Sequence, residues 1–237
     1  MTDEGPLLDS IWLTDRRPST SRQPGLTREQ IVEAAVAVLD ADGMQALSMR
    51  KLAARLDVAP MSLYWHVPTK DALLELALDA VSGEIALPPD DDHWADRLRA
   101  IAGGLREAVR AHPWTAMVYG VMLNAGPEAM RVYDAFVGAL EDSPLPREEI
   151  APAAGVLNNY IYGFIVNEMK WSQRVAAHGR TLNEVNADVT ARFTEAYGDR
   201  FPRISRYLGL TDGVNPDELF EYGLARILRG IAAEDPG

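Results

Sequence analysis

Residues 60–70 read PMSLYWHVPTK, with a hydroxyl at Ser62, a phenol at Tyr64, an indole at Trp65, an imidazole at His66 and an ammonium at Lys70. Groups of these types can donate hydrogen bonds to phosphate oxygens, and the apolar bodies of Tyr64 and Met61 suit a thymine methyl. Leu63, Tyr64, Trp65 and His66 are consecutive, so on a helix they point all round its axis and cannot all be buried. Leu63 is expected to anchor this helix, with Met61, Ser62, Tyr64 and His66 spread over the other directions. Trp65 is expected to pack beneath the following helix. Val67 and Pro68 stop the short helix, and Thr69 caps the next. The first amides of that next helix, with Lys70 beside them, make an anion site.

The elements that position these groups are legible upstream. TREQ is a capping box with Thr27 as N-cap and Gln30 three residues later, so a helix starts there. Ile31, Ala34, Ala35, Val38 and Leu39 share one face, and Gly43 ends the helix. Ser48 caps a second helix, SMRKLAARL, whose Leu52, Ala53 and Leu56 face inward while Arg50, Lys51 and Arg55 stay outside. After a turn of sequence DVA, Pro60 suits the first position of a third helix, where its missing N–H costs nothing. Two short helices joined by a tight turn make a helix-turn-helix. The first 24 residues hold Pro, Ser and Thr without a sustained period and are expected to be a flexible arm, whose Arg16, Arg17 and Arg22 could touch DNA.

The formal net charge is −12, but it is unevenly spread. Residues 16–70 carry eight Lys and Arg against five Asp and Glu, while residues 71–237 carry 15 against 26. A phosphate-contacting surface fits the first part, and the acidic remainder limits non-specific DNA affinity. The chain has no cysteine, which excludes disulfides, thiolate metal sites and a cysteine nucleophile. No apolar run of about 18 residues is present, and PLLDSIWLTD lacks a basic leader, so the expectation is a cytoplasmic protein without a membrane partner.

Beyond ALPPDDD, taken as a linker, the punctuation by Pro, Gly and Asp places helices near 92–111, 114–123, 127–141, 147–178, 184–197 and 216–233. No strand pattern competes, so the fold class is all-α. PDDDHWAD invites comparison with a magnesium-holding DDxxD of helical enzymes. A motif starting at Asp91 fails at Ala95 and one starting at Asp90 fails at Trp94, so a capped helix start explains the aspartates better. GxSxG and GxxxxGK[ST] are also missing. APAAGVLNNYIYGFIVNEMKW and DELFEYGLARILRGIAA are apolar around much of their circumference. They are candidates for self-association, with Gly155, Gly163 and Gly223 permitting close helix approach.

GLTREQIVEAAVAVLDADGMQALSMRKLAARLDVAPMSLYWHVPTKDALLELAL resembles the DNA-binding domain of TetR-family transcriptional regulators. LYWHV, KxALL and FEYGLARILRGI resemble the tetracycline-repressor subgroup. The resemblance implies three parts: an arm over 1–24, a helix-turn-helix domain over 25–72 with its last helix continuing to about 86, and an effector-binding and dimerisation domain over 87–237. It implies partners of three kinds: double-stranded DNA read as a homodimer, a small-molecule effector, and a second copy of the chain. Arg50 is implied to read a base edge, that of guanine, with Thr27, Ser62, Tyr64, His66 and Lys70 as backbone contacts. Pro60 and Met61 replace a base-reading glutamine and a proline, so the operator should differ, with thymine methyls and DNA shape carrying more of the discrimination.

Effector contacts are expected among Trp114, Met117, Tyr119, Met122, Tyr133, Phe136, Asn158, Tyr162, Phe164 and Trp171, which suit a fairly large aromatic or polycyclic molecule. Val118 stands where the subgroup has a metal-ligating histidine, and ALPPD lacks the histidine that precedes the linker. The expectation is therefore neither metal nor cofactor, and no catalytic residue. A helical dimer that binds small molecules but has lost DNA recognition remains the alternative, with a helical enzyme behind it.

Overall fold

The computed structural model describes residues 10–13, 26–211 and 213–233. Among them every regular element is helical: α1 Arg28–Asp42, α2 Met49–Arg55, α3 Pro60–His66, α4 Lys70–Gly83, α5 Trp94–Ala111, α6 Thr115–Val118, α7 Pro127–Glu141, a 3-10 turn Arg147–Glu149, α8 Ile150–Ala176, α9 Leu182–Tyr197, α10 Pro202–Thr211 and α11 Pro216–Ala233. The chain divides into two compact units, one ending at Ser143 and one beginning at Pro144.

In the first unit the helix starts follow local chemistry. Thr27 and Gln30 form the reciprocal capping box, with Gln30 N–H donating to Thr27 Oγ1 and Thr27 N–H to Gln30 Oε1. Ser48 and Thr69 cap α2 and α4 by accepting from Lys51 N–H and Ala72 N–H. Gly43 takes a left-handed φ of 74° at the end of α1, a conformation open to glycine without penalty. The turn between α2 and α3 needs the same at Asp57, with φ 53°, and an aspartate tolerates that region better than most side chains. On α1 the buried face is Ile31, Val32, Ala35, Val38 and Leu39. Val32 thus takes the place that the period assigned to Ala34.

α4 is the spine of this unit. Every residue from Ala72 to Asp79 is buried, with Val81 and Ser82, because α1 packs on one side of it and α7 and α5 on others. Two of its buried side chains are carboxylates, and each has partners. Asp79 accepts from the amides of Glu128 (3.0 Å) and Ala129 (2.9 Å), and so caps α7 from a neighbouring helix. Burial pushes the Asp79 carboxyl up, and those two amide bonds oppose the shift. Gly126 leaves the space, since a Cβ there would stand 2.2 Å from the Asp79 carboxyl group. Glu75 accepts from Ser10 Oγ and from Ile11 N–H.

That last contact corrects the expected flexible arm at residues 10–13 alone. Ser10 is buried, and residues 10–13 form a turn docked on α4. The physical reason is the demand of a buried carboxylate for donors. Arg16, Arg17 and Arg22 lie outside the described residues. A second correction concerns Asp90, Asp91 and Asp92, which do not cap α5. His93 does, its Nδ1 accepting from Ala95 N–H (3.3 Å). Asp90 instead offers its carbonyl and carboxylate to the buried Arg97, which also pairs with Asp142. A third concerns 114–123: only Thr115–Val118 is helical, and Gly120 at φ 78° follows it.

In the second unit α8 packs on α11, and α9 on α10. Of the three glycines expected at close helix approaches, Gly155 and Gly163 face open space within the chain. Gly223 is tight, because a Cβ there would meet the Tyr160 ring, whose hydroxyl donates to Phe220 O (2.7 Å). α10 was absent from the sequence reading. Pro202 stands at its first residue, a position that suits helix initiation as well as a break.

Replacing Ser10 by Ala removes one of two donors to the buried Glu75. It is expected to cost about 1–3 kcal/mol in urea unfolding; unchanged stability would contradict the docked turn.

Candidate nucleic-acid interface and effector region

Leu63 and Val67 are fully buried and fix α3 to the unit, so the rest of this two-turn helix is presented outward. Pro60, Met61, Tyr64 and Trp65 are exposed, and Ser62 and His66 are half-buried. Trp65, at 65% exposure, is more open than Tyr64 at 44%. The expected packing of Trp65 beneath the next helix is therefore corrected: Leu63 and Val67 fill the contact to the core, and the indole is left to solvent. Arg50 is exposed in the first turn of α2, and Lys70 is exposed at the start of α4, its Nζ 3.4 Å from Met44 O.

Thr27 is differently placed in chemical terms. Its Oγ1 serves the capping box, and its hydroxyl also hydrogen-bonds Glu29. The Glu29 carboxyl is held below the usual carboxylate range, first by its backbone hydrogen bond and then by Thr27. A phosphate at this helix start must compete with Glu29 for that hydroxyl. The capped N-terminus of α4 carries the exposed Lys70 and an exposed Asp71. Arg50, Met61, Tyr64, Trp65 and Lys70 thus form a set of exposed cationic, aromatic and apolar groups on three successive elements, the composition that phosphate positioning and base-edge contact require.

The ten expected effector contacts divide between the two units. In the first, Trp114 and Phe136 are buried, Tyr119 and Met122 are half-buried, and Met117 and Tyr133 are exposed. Trp114 is committed: its indole N–H donates to Asp40 (2.9 Å). Tyr133 and Phe136 stack at 6.1 Å. In the second unit Asn158, Tyr162 and Phe164 are half-buried and Trp171 is exposed. Phe164 and Trp171 line an open cavity of about 570 Å³ with Asn167, Asn183, Asn186 and Tyr207 among its other walls. Sequence reasoning missed Asn183, Asn186 and Tyr207. The signal for Tyr207 was the spacing of Ile204 and Leu208 after Pro202, which reads as a helix once proline is allowed at its first position. Among the described residues no group of three or more His, Asp or Glu could hold a metal, and no helix is long and apolar enough to cross a membrane.

A helix-turn-helix whose second helix presents aromatic and apolar groups outward, carried on an all-helical body, defines a DNA-binding regulator. Residues 31–77 match the family described as bacterial regulatory proteins, tetR family, and residues 87–234 match the tetracyclin repressor-like C-terminal domain. An HTH-type transcriptional regulator of Saccharopolyspora erythraea is 34% identical over 94% of this chain and 92% of its own. The HTH-type transcriptional repressor DrrR1 of Streptomyces coeruleorubidus is 34% identical over 94% of this chain and 84% of its own. The structure of the Streptomyces coelicolor TetR family protein ActR in complex with actinorhodin is similar with a TM-score of 0.77 and 28% identity, over 89% of this chain and 97% of that one. The chain belongs to the tetR family of bacterial regulatory proteins. It is a ligand-responsive, DNA-binding transcriptional regulator and not an enzyme.

Trp65→Ala is expected to change unfolding stability by no more than about 0.5 kcal/mol, as an exposed substitution does, while weakening binding to duplex DNA. A loss of stability above that would mean the indole is packed after all.

Proposed function

We propose that two copies of this chain bind a pseudo-palindromic operator in the cytoplasm as a repressor and release it when a small aromatic or polycyclic molecule binds residues of the 87–237 domain. The observation that carries this reading is the orientation of α3, with Leu63 buried and Met61, Tyr64 and Trp65 turned outward. Arg50 reads a base edge. Ser62, Tyr64, His66 and Lys70 hold the phosphate backbone, with Thr27 joining them where phosphate displaces Glu29. Pro60 and Met61 offer no bidentate pattern to adenine, so they contribute apolar contact and fit to DNA shape.

Self-association is supported by α8 and α11, which leave Val156 and Tyr222 exposed and Gly155 and Gly163 open. A two-fold dimer spaces its recognition helices by about 34 Å, one turn of B-DNA. The effector reading is supported by the cavity beside Phe164 and Trp171. The likeness to ActR, whose structures include complexes with actinorhodin and (S)-DNPA, points the same way. Val118 is buried and offers no metal ligand, so the effector binds without a magnesium chelate. Coupling follows from a preference of the effector for a dimer whose recognition helices are wrongly spaced for DNA.

On a duplex selected by the protein from a random pool, Tyr64→Ala and Lys70→Ala are expected to weaken binding across all sequences. Arg50→Ala is expected to cost about 1–3 kcal/mol and to relax one base position. Equal weakening of every sequence by Arg50→Ala would contradict its base-reading role. Effector affinity is expected to be the same with magnesium and with a chelator, and a strict magnesium requirement would contradict the metal-free site.

A further inference from the structure

Four elements of the first unit meet around one histidine. His112, the C-cap of α5, is 9% exposed. Its Nδ1 lies 2.9 Å from Oδ1 of Asp40, near the end of α1, and its Nε2 lies 3.0 Å from Oε2 of Glu84, the C-cap of α4. Trp114, the N-cap of α6, donates its indole N–H to the same Asp40 oxygen (2.9 Å), and Thr115 Oγ1 donates to the His112 carbonyl (2.7 Å). An ionised carboxylate only accepts, so both bonds are made together only when both ring nitrogens carry hydrogen. The ring that satisfies this geometry is the imidazolium. Neither the helix-turn-helix contacts nor the expected effector contacts include His112, Asp40 or Glu84.

Asp40 is the shared node. It belongs to α1, the first helix of the DNA-reading part. It is held from the other side by His112 and by Trp114, the residue that opens the 114–122 stretch of effector candidates. We propose that His112 is a positioning residue for operator binding: its doubly paired ring fixes the last turn of α1 to the ends of α4 and α5, and so sets the attitude of the recognition helix against the segment that begins at Trp114. This deepens the proposed function and rests on it.

The charged groups acting on the ring are Asp40 from α1 and Glu84 from α4. From α6, Trp114 shares Asp40 with the ring, and Thr115 bonds the His112 carbonyl. Burial alone pushes the ring's pKa down, but hydrogen bonds and charge from the two carboxylates outweigh it and hold the pKa above the ordinary value of 6.5. Asp40 and Glu84 also line an open groove of about 700 Å³ between α1 and α4, so water reaches the pair and the ring can lose its proton without unfolding. The stabilisation is therefore complete below the ordinary histidine value and is lost as pH rises through the raised one.

The test measures affinity for a duplex selected from a random pool and for an unrelated duplex, from about pH 6 to about pH 9. It compares the full chain with His112→Asn and Asp40→Asn, all carrying His66→Gln to silence the histidine of α3. Thermal unfolding is measured beside each. With His112 present, selected-duplex affinity is expected to fall about tenfold more than unrelated-duplex affinity over that range, the size of an ordinary coupling between two sites. His112→Asn and Asp40→Asn are expected to bind several-fold more weakly near pH 6 and to lack the excess slope. Lower melting temperatures with a pH profile parallel to that of the parent would overturn the proposal and leave His112 a structural residue. Failure of the native protein to select any duplex would refute the regulator reading instead. Amide exchange in the last turn of α1 of the free protein would then decide whether the His112 pairing holds that turn. Protection that falls with rising pH only when His112 is present supports it, and equal protection in His112→Asn overturns it.

Discussion

The first unit depends on the burial of α4. A helix apolar around most of its circumference must have neighbours on every side, and it buries Glu75, Asp79 and Ser82 along with its leucines. Each buried carboxylate then dictates a further piece of structure. Asp79 recruits the N-terminus of α7, and Glu75 recruits the turn at Ser10. Leaving either buried carboxylate without donors would incur its desolvation cost uncompensated. The same helix begins at Thr69 and Lys70, beside the exposed face of α3, and ends at Glu84 against His112. One rigid element therefore joins the proposed DNA-facing end of the unit to the end that carries α5 and α6.

α3 itself has little of its own to hold it. With seven residues and no side-chain cap at its start, it is too short to be stable alone. Leu63 and Val67 supply its attachment, and the turn before it is set by the left-handed Asp57 and by Val58 N–H donating to Ala53 O. Short helices attached by few residues leave most side chains free for a partner, which is what an interface to DNA requires. The net negative charge of the chain does not conflict with this, because the excess lies in residues 1–15 and after residue 70, while residues 16–70 carry more Lys and Arg than Asp and Glu. The cationic groups Arg50, Lys51, Arg55 and Lys70 are exposed.

The helix-turn-helix was legible because its signals are local. The capping box at Thr27, the caps at Ser48 and Thr69, and Pro60 at a helix start each need only a few neighbouring residues. What could not be read depended on partners distant in sequence. Ser10 is docked by Glu75, His93 rather than an aspartate caps α5, and Arg97 draws in Asp90 and Asp142. Trp65 was misplaced for the same reason. An indole is buried or exposed according to whether the core still has room, and Leu63 and Val67 had filled it. The candidate effector residues were found as types but not as a surface, because Tyr207 and the asparagines of α9 join Phe164 and Trp171 only through the folding of α8 to α11.

The central claim is that the outward face of α3, held on α4, reads DNA as one half of a symmetric pair. The most direct measurement is selection of bound duplexes from a random DNA pool at near-physiological salt, followed by sequencing of the enriched population. The account predicts an inverted repeat whose half-sites are centred about one helical turn apart. Enrichment of a single unpaired site, or of nothing by folded protein, would contradict it.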